Sequence, residues 1–291
     1  MSSAAQAVVQ TLTLGAIYAL VAVGFVVLFR ATKVLSFAQG AFLVIGALIF
    51  NSLAGAGWNP WSAAFASIVI TFVIGAFTYR IFFARIAGTE PFVTAMATIG
   101  LTTLYVAIAV MIWGATQITL PTSYISARQW SVGPFQVNVA EIAAVATAAV
   151  VFVLLVAGLQ RTRFGLRMRA VADNTRLAGQ AGVNTVLVSM TAWGIAAAAA
   201  AAAAICYLLS NVPDPDSLQD LGLLAFPAIL LGGLDSITGA LVGGLMIALI
   251  QSLTATYWSG DLQDVVAYIV LLVVLLLRPS GLFGRAEAQR L

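Results

Sequence analysis

Long apolar runs separated by short polar breaks dominate this chain. Six runs have about the length that a helix needs to cross a bilayer, roughly 20 residues; they cover residues 12–29, 34–50, 61–79, 91–113, 139–159 and 186–209. Three shorter runs follow, over residues 221–234, 239–253 and 262–277. We therefore predict an all-α polytopic membrane protein with about eight or nine transmembrane segments, including short or broken helices.

The run over residues 221–234 leaves one point of the topology open. Its 14 residues include Pro227 and the pair Gly232-Gly233. At about 1.5 Å per residue they reach roughly 21 Å, which is less than the thickness of the hydrocarbon core. Residues 221–253 therefore form either two short tilted spans or a re-entrant hairpin, and both leave the other spans in the same orientation.

Composition agrees with a membrane protein that has little mass outside the bilayer. The 291 residues are 62% hydrophobic and 8% charged, far from the values of soluble domains. The net charge of +3 comes from a few clustered positions and does not indicate nucleic-acid binding. With one cysteine, Cys206, and no histidine, the chain lacks a disulfide and the commonest general base. We expect no catalytic residue and no metal site.

The positions of the basic residues predict the orientation. With the amino terminus outside and the spans alternating, 12 of the 13 Lys and Arg residues fall inside, Arg285 and Arg290 among them, and only Arg128 falls outside. This distribution follows the positive-inside rule. Five of the six tryptophans fall at or beyond the outer ends of spans, as in an interfacial belt; they are Trp58, Trp61, Trp113, Trp130 and Trp258. The carboxyl terminus is therefore predicted to be cytoplasmic.

Residues 160–185 are the most basic stretch of the chain. They contain five arginines, which are Arg161, Arg163, Arg167, Arg169 and Arg176. The stretch is either a cytoplasmic topology marker or a docking element that receives force from a soluble partner. Asp173 lies four residues after Arg169 and three before Arg176, so on a helix over residues 163–182 it can pair with both.

The apolar residues of this stretch also favour a folded element. They form a narrow stripe at helical spacing, made of Leu166, Ala170, Leu177 and Ala181. Gly179 and Gly182 supply stop signals before the next span. We therefore predict a cytoplasmic helix over residues 163–182.

The chain itself shows no source of energy for transport. Its only lysine, Lys33, lies between Thr32 and Val34, so the chain has no phosphate-binding P-loop. Of the ten acidic residues, only Asp235 is placed where it could sit at depth, and proton- or sodium-coupled carriers usually keep carboxylates within their spans. The energy must come from a partner, and the basic stretch is where it could enter.

Several motifs resemble one family of transport proteins over almost the whole length. In the basic stretch these are Gly165-Leu166-Arg167-Met168-Arg169-Ala170, Asp173-Asn174, Ala178 and Gly182-Val183-Asn184. Elsewhere they are Thr13-Leu14-Gly15-Ala16-Ile17-Tyr18-Ala19-Leu20, Ser36-Phe37-Ala38-Gln39-Gly40, Ala225-Phe226, Leu231-Gly232-Gly233 and Arg278-Pro279-Ser280-Gly281-Leu282-Phe283-Gly284-Arg285. Together they resemble the permeases of branched-chain amino-acid ABC importers, in particular the H-type subunit of the Liv system.

The resemblance implies a single permease domain, residues 1–291, with a cytoplasmic coupling loop over residues 160–185. It implies a bacterial inner-membrane importer that moves branched-chain or aliphatic amino acids from periplasm to cytoplasm. Its partners would be a second permease subunit, two ABC ATPase subunits and a periplasmic binding protein. The chain itself would be no enzyme and bind no cofactor, since ATP would be used by the partner subunits.

The resemblance also suggests which residues have a functional role. Coupling to the ATPase would involve Arg163, Gly165, Arg167, Arg169, Ala170, Asp173, Asn174, Arg176 and Gly182. The translocation path would be lined by Phe37, Gln39, Gly40, Phe226, Gly232 and Gly233. Broken helices there offer free backbone donors and acceptors at depth.

The sequence departs from the family where polarity matters. Gln39, Ala41, Leu224 and Gln251 stand where the family often has His, Glu, Lys and Glu. These departures leave the substrate open between aliphatic amino acids and urea or short amides. From the residues alone, an ATP-independent channel and a membrane scaffold also remain as alternatives, and in both the basic stretch would be a topology marker.

Overall fold

The computed structural model describes residues 2–86, 89–121, 129–132, 135–278 and 281–284. Within these residues the chain forms eleven α-helices and one short β-hairpin. The helices are α1 (Ser2–Thr32), α2 (Gln39–Gly55), α3 (Pro60–Thr78), α4 (Pro91–Trp113), α5 (Val139–Arg161), α6 (Arg163–Asp173), α7 (Thr175–Gln180), α8 (Thr185–Leu208), α9 (Pro215–Gly232), α10 (Ile237–Tyr257) and α11 (Gln263–Leu277). The antiparallel strands β1 (Gln129–Val132) and β2 (Phe135–Asn138) precede α5.

The helices confirm the all-α, polytopic membrane fold. Among the described residues, seven are long and apolar enough to cross a membrane, namely α1, α3, α4, α5, α8, α10 and α11. Two short turns extend this set: a π-helical turn, Tyr79–Phe83, continues α3, and a 3₁₀ turn, Gly260–Leu262, leads into α11. The predicted run over residues 91–113 coincides with α4. Of the basic residues in the predicted topology, Arg128, Arg285 and Arg290 lie outside the described residues.

The helices α1 and α8 form the centre of the bundle. In the most apolar part of α1, 78% of the residues are buried, against 11% in the last span. The nine consecutive alanines of α8, residues 196–204, let α1, α2 and α3 approach closely because short side chains allow helix backbones to meet. A Cβ at Gly46 of α2, for example, would lie 2.6 Å from the Ala201 Cα. Small residues therefore allow the central helices to pack closely against one another.

The second helix starts in the middle of the bundle, which differs from the predicted run over residues 34–50. Residues 33–36 have no regular structure, residues 37–38 form a turn, and α2 begins only at Gln39. Gln39 lies against Gly24 of α1 and Ala196 of α8. Gly24 is eight residues from the end of α1, about 12 Å along its axis. Residues 33–38 therefore enter the bundle as non-helical chain, and we call them the helix break.

The helices α9 and α10 are longer than the predicted short runs. Asp214 caps α9 by accepting a 2.7 Å hydrogen bond from the Ser217 backbone N–H, and the hydrogen bonds from Ser217 lower the pKa of this exposed carboxyl. The 18 residues of α9 reach about 27 Å, and α10 has the length of a full span. The structure therefore favours two crossings over a re-entrant hairpin.

The turn between α9 and α10 lies against the end of α1. Arg30 Nε donates to the Asp235 carbonyl oxygen at 2.8 Å, and Lys33 Nζ lies 3.8 Å from the Asp235 carboxylate. Asp235 therefore lies in the turn between α9 and α10, at the end of the bundle, which does not agree with the expectation that it could sit at depth. The helices α6 and α7 and the π turn lie at this same end, which we call the basic end.

Candidate functional site

The backbone of the helix break is held by threonines of α4. The Phe37 N–H donates to Thr98 Oγ1 at 3.1 Å, and Thr102 Oγ1 donates to the Phe37 carbonyl oxygen at 3.0 Å. Both threonines are buried. Non-helical backbone is tolerated at depth only where such partners exist or where it lines a cavity. These hydrogen bonds therefore fix the break at its position in the bundle.

Sequence reasoning missed these threonines, although a signal was present. Thr94, Thr98 and Thr102 follow one another at four-residue spacing on an otherwise apolar helix, and all three are buried. Four-residue spacing places them on one face of α4. A polar stripe on a membrane helix indicates a polar neighbour, and here that neighbour is the break.

Gln39 places a primary amide in the centre of the bundle. The residue is fully buried, and its Nε2 donates to the Ala196 carbonyl oxygen at 3.0 Å. This bond fixes the orientation of the amide, because the reversed amide would bring two acceptor oxygens together. The Gln39 Oε1 has no hydrogen-bond partner among the described residues. Buried acceptors are nearly always paired in native structures, so this oxygen is an exception in the centre of the bundle.

Three further predicted path residues lie in the same part of the bundle as Gln39. The Phe37 and Phe226 rings are 5.4 Å apart, and Phe25 adds an edge-to-face contact to Phe226 at 6.1 Å. Gly40 packs against α9, where a Cβ at this position would lie 2.7 Å from the Gln219 carbonyl oxygen. The structure therefore brings Phe37, Gln39, Gly40 and Phe226 into one part of the bundle, between α1, α2 and α9.

Gly232 and Gly233 lie in a different part of the bundle from Gln39. They form the turn at the basic end, where a Cβ at Gly232 would lie 2.0 Å from the Gly239 carbonyl oxygen. Gly233 has a φ of +102° and packs against Gly284. The Leu282 and Phe283 backbone N–H groups donate to α9 carbonyl oxygens at 2.8 and 3.1 Å. These two glycines therefore close the basic end and do not adjoin Gln39.

The predicted helix over residues 163–182 is wrong in one respect, because two helices form. Asn174 separates α6 from α7, with an extended backbone (φ −158°, ψ 101°), and caps α7 by accepting from the Leu177 N–H at 2.9 Å. Thr162 caps α6 in the same way, and Asn184 caps α8. Asn and Thr compete well with helical hydrogen bonding at such positions. We call α6 and α7 together the basic linker.

The predicted pairing of Asp173 with two arginines is also absent. Among the described side chains, no ion pair joins Asp173 to Arg169 or Arg176. Arg169 Nε instead donates to the Gly165 carbonyl oxygen at 3.3 Å. The break at Asn174 removes the helical spacing between Asp173 and Arg176, and all three charged side chains are exposed. Exposed pairs of this kind contribute little energy to hold them together.

The basic linker is anchored through residues that the sequence-based stripe did not contain. Met168 and Val171 are 1% and 2% exposed, and Ala178 is buried as well. The predicted stripe lies on the opposite face, where Leu166 and Leu177 are 62% and 60% exposed. Ala170 and Ala181 are exposed with them, as are Arg163, Arg167 and Arg176. The linker thus presents apolar and cationic side chains together, away from its own bundle.

Two glycines shape the ends of the linker. A Cβ at Gly165 would lie 1.8 Å from the Leu159 carbonyl oxygen, so only glycine permits the tight turn from α5 into α6. Gly182 has a φ of +81°, in the left-handed region that favours glycine. Both positions were predicted to matter for coupling, and both set the direction of the linker.

Gln251, one of the four departures from the family pattern, lies away from the helix break. Its Nε2 donates to Asp264 Oδ1 of α11 at 3.0 Å. This bond joins the ends of α10 and α11 opposite the basic end. A neutral amide at this position therefore serves packing between helices.

Comparison with known proteins gives consistent matches. The profile of the family described as branched-chain amino acid transport system / permease component matches residues 7–275. The chain is 28% identical to the high-affinity branched-chain amino acid transport system permease protein LivH of Escherichia coli (strain K12), over 96% of this chain and 94% of that protein. It is 29% identical to the permease protein BraD of Pseudomonas aeruginosa, over 98% and 97% of the two chains. No solved structure matches this chain significantly.

Proposed function

Since the chain belongs to the permease family of branched-chain amino acid transport systems and is a permease subunit of an ABC importer, we propose that it carries branched-chain or other aliphatic amino acids. The direction of transport is inward, from periplasm to cytoplasm. The names of the relatives LivH and BraD support this substrate class. The path on this subunit passes the helix break.

The observation that carries the proposal is the unpaired Gln39 Oε1 in the same part of the bundle as the Phe37–Phe226 contact. The free Gln39 Oε1 can accept a hydrogen bond from a substrate ammonium group, and no buried carboxylate is needed. Phe37 and Phe226 offer apolar rings to an aliphatic side chain. A site of this kind binds a zwitterion weakly enough to release it, because no full countercharge holds the substrate.

The basic end faces the cytoplasm in this proposal. Arg30, Lys33 and the arginines of the basic linker lie together at that end, as the positive-inside rule requires of an inner surface. The amino terminus is then outside and the carboxyl terminus inside. This orientation places the basic linker where soluble ATPase subunits can reach it.

The basic linker docks on an ATPase subunit, and transport is powered there. Its outer face combines Leu166 and Leu177 with exposed arginines, and a helix can bind a partner by laying such an apolar face into a groove. The complete importer comprises this chain, a second permease subunit, two ATPases that use ATP, and a periplasmic binding protein.

Uptake by the reconstituted importer tests the proposal. Replacing Gln39 or Phe226 by Ala should reduce leucine and isoleucine uptake while the complex still assembles. The matched control is Phe65→Ala, because Phe65 is 72% exposed on the outer surface of α3. Uptake of urea or a short amide in place of these amino acids would overturn the substrate assignment. Uptake without ATP would overturn the coupling and favour a channel.

A further inference from the structure

A cavity of about 460 Å³ lies at the basic end, where Lys33 and Val34 of the helix break form part of its lining. It is enclosed by the end of α1, the π turn, the start of α4, the basic linker and the start of α8. Pockets that bind small molecules have volumes of about 300–1,000 Å³ and mostly apolar walls with a few polar groups. This cavity matches that description, and it shares no lining residue with the Gln39 site.

The inner wall of the cavity is an aromatic cluster with an unused donor. Trp193 stacks on Phe83 with ring centroids 4.4 Å apart, and Tyr79 lies 6.2 Å away. Trp193 is fully buried, yet its indole Nε1–H has no partner among the described residues. Buried indole N–H groups usually find an acceptor, and leaving one unpaired is unfavourable. Trp193 is among the residues that line the cavity, and its N–H is the polar group there that lacks a partner.

The π turn that supplies Tyr79 and Phe83 is a second local irregularity. It ends α3 and is followed by the turn residues 84–86, and π-type turns occur at the C-terminal ends of helices. Here the turn carries Tyr79 and Phe83 into the Trp193 cluster. The cavity wall thus contains a π turn and an unpaired donor.

Lys33 supplies the only charge among the described residues that line the cavity. It has a φ of +55°, uncommon for a residue other than glycine, and such backbone strain is concentrated at functional sites. Its ion pair with Asp235 is long, at 3.8 Å, and its side chain is 52% exposed. The other polar lining groups are hydroxyls, among them Thr94 and Ser189.

We propose that this cavity binds a small aliphatic anion, a carboxylate whose oxygen accepts the Trp193 indole N–H and whose charge is matched by Lys33. The aliphatic part of the ligand lies against Phe83, Val171 and Val186, which also line the cavity. A zwitterionic amino acid fits less well, because its ammonium group would meet no carboxylate among the lining residues and would be repelled by Lys33.

The site also touches the basic linker. Val171 and Ala172 end α6, Thr175 begins α7, and all three line the cavity. A bound ligand fills the space into which the linker could otherwise move. We expect a ligand in the cavity to restrain the basic linker and to lower the stimulated ATPase rate. This expectation rests on the proposed coupling function. Binding itself is independent of that function and is measured separately.

Equilibrium binding of radiolabelled 4-methylpentanoate to the assembled importer in nanodiscs tests the site. Competition with four unlabelled compounds of the same aliphatic body defines the head group: 4-methylpentanoate, leucine, 4-methylpentanamide and 3-methylbutylamine. We expect the carboxylate to compete at least tenfold better than the other three. Nanodiscs with and without phosphatidylglycerol separate a free carboxylate from an anionic lipid as the occupant. Binding that is blocked by phosphatidylglycerol assigns the same anion site to a lipid headgroup.

Three variants locate the binding. Trp193→Phe keeps a ring and removes the donor, and Lys33→Gln removes the charge; each should weaken binding by about tenfold, the usual effect of losing one hydrogen bond to a charged group. Because Trp193 is a core residue, Val186→Phe provides a test that leaves the core intact. Val186 is 39% exposed at the rim of the cavity, and the larger side chain should exclude the ligand.

The controls separate the site from general effects. Leu187→Phe places the same aromatic ring one residue away, outside the cavity, and should leave binding unchanged. Asp235→Asn removes the ion-pair partner of Lys33 and keeps the positive charge of Lys33. The affinity for the carboxylate should therefore be unchanged or higher. The proposal is overturned if leucine binds as well as the carboxylate, if no compound binds, or if Val186→Phe and Leu187→Phe behave alike. Binding without an effect on ATPase rate would refute only the restraint of the linker.

Discussion

The side-chain amide of Gln39 lies directly on the backbone of Gly24. A Cβ at Gly24 would come within 2.0 Å of Gln39 Nε2, and 3.1 Å from the Ala196 carbonyl oxygen that this amide donates to. The absence of a side chain at residue 24 is therefore the condition under which α2 can start in the middle of the bundle. It also holds the free Gln39 Oε1 in one orientation.

Gly24→Ala should displace the Gln39 amide and impair uptake. The new methyl group breaks the hydrogen bond to Ala196, and overpacking of a tight interior costs about 1–3 kcal/mol. We expect leucine uptake to fall by about tenfold or more, with a lower thermal midpoint. Gly100→Ala is the control, since a Cβ at Gly100 meets nothing within 4 Å. Equal uptake by the two variants would show that Gln39 is not a path residue.

Charge reversal on the basic linker should uncouple ATP hydrolysis. Arg167→Glu with Arg169→Glu places negative charge on an exposed face that, in the proposed complex, meets an ATPase subunit. We expect ATPase stimulation by substrate-loaded binding protein to fall to the basal rate, while membrane insertion persists. The double variant Arg80→Glu with Arg85→Glu makes the same change in net charge at exposed positions outside the linker, and should retain stimulation.

The two faces of the linker should respond differently to substitution. Leu177→Asn removes an exposed apolar group, so it should weaken co-purification of the ATPase without lowering the thermal midpoint. Met168→Ala empties a buried position and should destabilise the subunit by about 2–5 kcal/mol. If Leu177→Asn destabilised the isolated permease and left ATPase binding intact, the outer face would not be a docking surface.

Cysteine accessibility should report opposite sides for the two ends of α10. Thr238 at the basic end and Trp258 at the other end are both exposed, and the natural Cys206 is buried, so it should contribute little labelling, and a Cys206→Ala background removes what remains. With an impermeant maleimide, Trp258→Cys should react from the periplasmic side and Thr238→Cys from the cytoplasmic side. The reverse pattern would contradict the orientation, and labelling of both from one side would contradict two crossings.

The long spans were predictable because apolar runs end at Pro, Gly and polar caps. The bounds of α4 followed directly, from Pro91 to the glycine after Trp113. The start of α9 was missed although Asp214 and Pro215 form a standard start signal, because its first turns carry Asp216 and Asp220 and resemble an outer loop. The charged residues at the start of α9 therefore kept its first turns out of a prediction based on hydropathy.

The site was only partly predictable, and the missing part consists of long-range contacts. Val34 and Leu35 have the hydropathy of a helix, so the break is visible only through the partners that replace helical hydrogen bonds. Those partners, Thr98 and Thr102, are 61 and 65 residues away. The basic linker was located correctly from its charges, but its break depends on one residue, Asn174, whose side chain caps the next helix.

The mid-bundle start of α2 also sets an order for biosynthesis. Residue 37 is made 61 residues before Thr98, and Gln39 157 residues before Ala196. At about 5–20 residues per second, these partners follow after roughly 3–12 s and 8–31 s. Unsatisfied backbone groups in lipid cost several kcal/mol each, so α2 cannot reach its final depth when it leaves the ribosome. We therefore expect the newly made amino-terminal third to stay within the insertion machinery, shielded from lipid, until α4 and then α8 have been made and can pack against it.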